Sequence, residues 1–86
     1  MGNEARCWLV DRRLDDGRVV TVTYATVDGT AVTTRQHALP SVGDGVAAAI
    51  TVDPDALTPV DDPADRERYQ AEVARVREQH DGDDRI

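Results

Sequence analysis

The chain has 86 residues, enough for one domain, with 17 acidic against 10 basic side chains and a formal net charge of -7. That balance argues against a protein whose main task is to neutralise nucleic-acid phosphates. No apolar run approaches the roughly 18 residues of a membrane-spanning helix, Met1–Arg6 carries no signal-peptide pattern, and a lone cysteine, Cys7, excludes both an internal disulfide and a four-cysteine zinc site.

Along the chain, Cys7–Leu14 (CWLVDRRL) and Arg18–Thr26 (RVVTVTYAT) are rich in β-branched and aromatic residues and read as strands. Asp15-Asp16-Gly17 separates them, and Val27-Asp28-Gly29-Thr30 leads into a third strand, Ala31–Gln36. Gly17 and Gly29 supply the positive φ that tight turns need, so the three form an antiparallel meander. A three-residue first loop with Gly17 in the left-handed region pairs Leu14 with Arg18, Val10 with Val22 and Trp8 with Tyr24. It puts Trp8, Val10, Val20, Val22 and Tyr24 on one face and Cys7, Leu9, Asp11, Thr21 and Thr23 on the other. A two-residue loop would divide the apolar set between the faces, because a one-residue slip inverts a strand. A two-residue Asp28-Gly29 turn then sets Val22 beside Arg35 and Val20 beside His37. The third strand is polar on both faces, which suits a sheet edge or a site.

His37–Gly45 reads as a loop broken by Pro40, Gly43 and Gly45. Val46–Val52 alternates as a fourth strand, and Asp53-Pro54-Asp55-Ala56-Leu57 carries the signals of one short helical turn. Asp62-Pro63-Ala64-Asp65 combines a cap, a preset φ and a negative charge at the positive end of a helix dipole. A helix over Pro63–His80 follows, with Tyr69, Val73, Val76 and His80 in one narrow stripe. Asp65–Arg68, Arg68–Glu72 and Glu72–Arg75 are spaced to pair on its exposed side. Gly82 is a stop, and Asp83–Ile86 reads as a loose tail. The stripe is too narrow to stand alone, and the sheet has an apolar face without a cover. Residues 1–82 therefore form one α+β domain in two layers: a three-stranded meander plus a fourth strand against a C-terminal helix. Its core is small for a chain of this size, so salt, dimerisation or both are expected to help it fold.

The basic residues are all Arg, with no Lys, and thirteen of the 17 acidic residues are Asp. Low hydrophobicity with high net charge usually means disorder, but the Val and Thr runs alternate too regularly for that. Molar salt, where the Debye length falls to about 3 Å, is the other way to carry such charge. The chain reads as a cytoplasmic protein of an extreme halophile. Five stretches also resemble a family of short uncharacterised haloarchaeal proteins: Cys7-Trp8-Leu9-Val10; Tyr24-Ala25-Thr26 with Asp28-Gly29; Val52-Asp53-Pro54; Arg66-Glu67-Arg68-Tyr69 with Glu72 and Arg75; and His80-Asp81 with Asp83-Asp84 and Ile86. The resemblance implies the same archaeal, halophilic setting. It implies no activity, substrate or cofactor and carries over no site residue.

Catalytic and metal chemistries find little support. Cys7, His37 and His80 lack the short spacing of zinc ligands, and Cys7 reads as a small buried hydrophobe. Asp53, Asp55, Asp61, Asp62 and Asp65 lack the glycine and closing glutamate of a calcium loop; they and Asp81, Asp83 and Asp84 read as a solvated surface. Ser41 has no nucleophile-elbow motif, Gly43-Asp44-Gly45 is a turn rather than a phosphate loop, and the ending Asp-Arg-Ile is not a modifier's diglycine. No catalytic residue, metal or cofactor is expected. One constellation stands out: Arg12, Arg35 and His37 converge near Val20, with Trp8 nearby, as a patch for an anion, a nucleic-acid strand or an acidic partner. The competing reading pairs such arginines with Asp11, Asp15 and Asp16, or lays their stems over the sheet. Two function classes follow. The first is a non-enzymatic protein–protein interaction module, acting on another protein or as a homodimer through an edge strand or an apolar face. The alternative is a nucleic-acid-binding regulator using an arginine-rich sheet.

Overall fold

The computed structural model describes residues 4–43 and 45–86; the opening residues 1–3 and Asp44, within the expected 43–45 turn, lie outside the described residues. Five strands form one antiparallel sheet: β1 (Ala5–Asp15), β2 (Val19–Thr26), β3 (Ala31–Ala38), β4 (Ala49–Val52) and β5 (Thr58–Pro59), in the order β4-β1-β2-β3-β5. Short 3-10 turns cover Leu39–Val42 and Pro54–Ala56, and a C-terminal helix, α1, covers Pro63–Gln79. The α+β arrangement of an antiparallel sheet with one C-terminal helix is as the sequence predicts, with β5 added at the edge.

Both hairpin turns use their glycines, each in its own way. The first loop has three residues, with Gly17 at φ 70° as expected, but it comprises Asp16-Gly17-Arg18, and Asp15 pairs with Val19. The second turn keeps the expected register, Val22 beside Arg35 and Val20 beside His37. Its connection spans Val27-Asp28-Gly29-Thr30 rather than two residues. The Asp28 carboxylate ties it, accepting from Thr26 Oγ1 at 2.7 Å, Thr30 Oγ1 at 2.8 Å and the Thr30 amide at 3.0 Å. These bonds hold the Asp28 carboxyl below the usual aspartate range, the Thr26 hydroxyl contributing most.

The register of β1 departs from expectation. Near the turn, Leu14 pairs with Val20 and Arg12 with Val22; beyond a bulge at Val10, Leu9 pairs with Tyr24 and Trp8 with Ala25. A bulge adds one residue to one strand, so alternation changes phase there. Cys7 and Leu9 therefore share a face with Arg12, Leu14, Val20, Val22 and Tyr24, while Trp8 turns to the opposite face. The expected Trp8–Tyr24 pair does not form.

Each face has its own cover. On the first, Cys7, Leu9, Val20, Val22 and Tyr24 pack with Val46 and Val52, joined at the margin by Ile50, Leu57 and Ile86. On the second, the register aligns Ala49, Trp8 and Ala25 in one row, and α1 lies over β1 and β2 with Val73 and Val76 buried. Asp62 caps this helix, accepting from the Ala64 amide at 2.8 Å, and Asp53 caps the Pro54 turn through the Asp55 amide at 2.9 Å. Of the three expected surface pairs, Asp65–Arg68 and Glu72–Arg75 form, the former at 3.5 Å. The guanidinium of Arg77 stands 5.8 Å from the Trp8 ring centre, and that of Arg6 at 5.6 Å. One tryptophan thus joins helix to sheet between two cations.

Residues 83–86, expected as a loose tail, are bound into the structure. Val46 and Ile86 exchange backbone hydrogen bonds at 2.9 and 2.8 Å, the Ala48 amide donates to Asp84 O at 2.8 Å, and Ala47 bridges Arg85. Val46 and Ala48 bond to this segment, and the fourth strand, expected over Val46–Val52, spans Ala49–Val52. His37 and Ala38, expected in a loop, complete β3.

Gly29 carries the helix–sheet contact at φ 74°: an added Cβ would meet the α1 backbone at Arg66 O and, at 2.8 Å, at Gln70 N. At Gly17, φ 70°, a Cβ would meet nothing within 4 Å. Gly17→Ala should therefore cost only the left-handed strain, about 1 kcal/mol. Gly29→Ala should cost about 2–4 kcal/mol, since displacement of α1 adds to that strain. Urea denaturation of the two variants checks this; equal losses would show that α1 does not press on Gly29.

Candidate functional site

The site grows from the parity of β2 and β3. Arg12, Val22 and Arg35 form one row across three strands, and Leu14, Val20 and His37 form the next, all on the Tyr24 face. The sequence thus places Arg12, Arg35 and His37 on one face correctly. Trp8, grouped with them from the sequence, lies on the other face against Arg6 and Arg77, because the Val10 bulge reverses it.

The C-terminal segment contributes a cation that sequence reasoning missed. Arg85, brought in by its bridge to Ala47, joins Arg35 and His37 around an open pocket of about 450 Å³. Tyr24, Val46, Ala47, Ile50 and Thr51 complete its walls. Arg85 Nη2 donates to Gly45 O at 2.7 Å and Arg12 Nη1 donates to Ile86 O, so neither guanidinium is held by a side-chain carboxylate of a described residue. Nothing in the local sequence of Asp84-Arg85-Ile86 signals this placement; only its pairing with Val46 and Ala48 does.

The pocket floor is set by Tyr24, only 2 % exposed, whose hydroxyl donates to Ala47 O at 2.8 Å. Burial pushes its phenol above the usual range, and the positive fields of Arg35, Arg85 and Arg12 oppose that rise. Three guanidiniums thus bear on one side chain. Among the described residues, the ion pairs are Arg13–Asp11, Arg68–Asp65, Arg75–Glu72 and His80–Asp84. Among the described residues, Arg12, Arg35, Arg85 and His37 take part in none of them, so in a chain of net charge -7 this corner gathers three arginines that pair with no described side-chain carboxylate. The expected screening by Asp11 reaches Arg13, at 3.9 Å, and not the patch.

The other chemistry-bearing residues disperse. Cys7 is fully buried, its thiol pushed up by desolvation. His80 ends the helix, its Nδ1 3.7 Å from Asp84. Asp53 and Asp62 are spent on caps. Among the described residues, no three His, Cys, Asp or Glu side chains gather as a metal site, and no helix is long and apolar enough to cross a membrane.

A family model spans residues 1–86. The chain belongs to a family of unknown function (DUF7967). No curated protein and no solved structure matches it.

Tyr24→Phe should cost about 1 kcal/mol, the net worth of one buried hydroxyl–carbonyl bond. Because the folded phenol is raised, its contribution is complete below the ordinary tyrosine value of about 10 and is lost as pH rises beyond it. Urea midpoints at about pH 8 and about pH 11 should therefore fall more steeply for the native chain than for Tyr24→Phe. Parallel curves would contradict this.

Proposed function

We propose that this protein is a non-enzymatic protein–protein interaction module whose working surface is the open edge of β3 and the arginine-lined pocket beside it. The observation that carries the reading is the incomplete cover of that edge. β5 pairs only with Ala31 and Val32. The Val60 amide bonds Thr30 O on that side at 2.8 Å, which fixes the outward phase of the strand. By alternation the backbone groups of Thr34 and Gln36 also face outward, and among the described residues nothing pairs with them. An edge of this kind accepts an extended segment of another chain as an added strand.

The alternative, a nucleic-acid-binding regulator using the arginine-rich sheet, is less well supported. Bases on a single strand need an exposed ring to stack on. Trp8 lies on the far face, and Tyr24 is buried with its hydroxyl bonded.

Gln36→Pro tests the edge. It removes one outward N–H and leaves the bonds to β2 in place. Extended peptides selected from a displayed random library on the native chain should lose binding to this variant while its circular dichroism stays native. Retention of the selected peptides by a folded Gln36→Pro variant would overturn the reading.

We further propose that the module works in the saline cytoplasm of an archaeal halophile. The absence of Lys and the excess of Asp in an acidic chain support this. Far-ultraviolet circular dichroism should show structure gained as potassium chloride rises to molar concentration, where aspartate repulsion is screened. Full folding in dilute buffer would refute it.

A further inference from the structure

Resting on that reading of the edge, the geometry points to an acidic, extended peptide as the partner, with carboxylates two residues apart. A strand hydrogen-bonded to Thr34 and Gln36 places the residue between these contacts opposite Arg35 and the one beyond the Gln36 contact opposite His37. Those opposing side chains emerge on the face of Tyr24, toward the pocket that Arg85 shares with Arg35 and His37. Residues i and i+2 of the incoming strand then meet the Arg35 guanidinium at one position and the His37 imidazole, an N–H donor, at the other. The apolar walls, Val46, Ala47 and Ile50, lower the local dielectric and strengthen such pairs. A guanidinium fork matches a carboxylate with two parallel bonds. The side chain between the two carboxylates, opposite Gln36, and the one flanking them opposite Thr34 project to the other face, where β-branched residues fit a pleated surface.

The same charges argue against a second copy of this chain on the edge. A two-fold antiparallel pairing centred on Arg35 sets Arg35 opposite Arg35. One centred on Gln36 sets Arg35 opposite His37, and one centred on His37 sets His37 opposite itself. The remaining choice, centred on Thr34, requires the outward groups of Val32, which lies beside Thr58 of β5. Arginine directly opposite arginine destabilises a pair of strands, and none of these pairings sets a carboxylate opposite Arg35, so the edge favours an acidic partner over a second copy of itself.

The test uses a capped, dye-labelled heptapeptide, Thr-Val-Asp-Val-Asp-Val-Thr, with an Asn-x-Asn analogue and a Lys-x-Lys analogue. Binding is read by fluorescence anisotropy at the lowest salt that keeps the full chain folded. The acidic peptide is expected to bind, and the Asn analogue about tenfold more weakly, the scale of two partly exposed ion pairs lost together. Arg35→Glu should lose the acidic peptide and gain the Lys analogue, an exchange that a purely structural role for Arg35 would not produce. Equal binding of the acidic and Asn peptides, with loss in Gln36→Pro, would overturn the acidic specificity and leave the open edge standing. Undiminished binding of the acidic peptide by a folded Gln36→Pro variant would overturn the edge reading and this proposal with it. Tighter, Arg35-dependent binding of a labelled single-stranded oligothymidylate would replace the peptide with a nucleic acid and overturn the proposal.

Discussion

The bulge at Val10 is the constraint on which the rest of the structure depends. Without it, strict alternation along β1 would put Cys7 and Leu9 on the face opposite Arg12 and Leu14. With it, the strand changes phase between Leu9 and Asp11. Cys7 and Leu9 then serve the buried cluster around Tyr24, while Trp8 turns outward to meet α1. One extra residue therefore divides a small apolar inventory between two covers. Val46, Val52 and the C-terminal residues close one side, and the helix closes the other.

The closing segment links fold to site. Residues 84–86 lie against Val46 and Ala48 and carry Arg85 to the pocket, while Arg12 holds Ile86 from the sheet. The patch is thus assembled from three places far apart in the chain: the end of β1, the middle of β3 and the segment after α1. Among the described residues these arginines form no ion pair with an aspartate, and several aspartates serve local roles instead. Asp28 ties a turn, Asp53 and Asp62 cap helical starts, and Asp15 accepts from Thr21.

How much of this is legible in the residues follows from the range of the interactions involved. Asp62-Pro63 and Asp53-Pro54 act within one turn, and both caps are where the sequence puts them. Val22 beside Arg35 follows from a symmetric turn around Asp28-Gly29, so the pairing of β2 with β3 is legible too. Phase is harder. CWLV and the even-numbered valines of β2 can be matched in two ways, and only the polar Asp11-Arg12-Arg13 that follows hints that alternation breaks at Val10. The tail is harder still. Nothing local distinguishes Asp84-Arg85-Ile86 from a frayed end, since its partners, Val46 and Ala48, are distant in sequence. The same holds for β5, two residues whose strand character comes wholly from Ala31 and Val32. Arg85 was consequently missing from the patch that Arg12, Arg35 and His37 announced, and Trp8 was wrongly included.

Cys7 has a use that its chemistry alone would not suggest. It is the chain's one thiol, wholly shielded from solvent near the start of β1, between β2 and β4. A solvent-borne alkylating reagent can reach the sulfur only when these neighbours separate, so labelling reports how often the middle of the sheet breathes. Fraying at β5 or the outer rim of β3 leaves that signal silent. The molecule carries its own clock for the opening of its interior, with no engineered probe required.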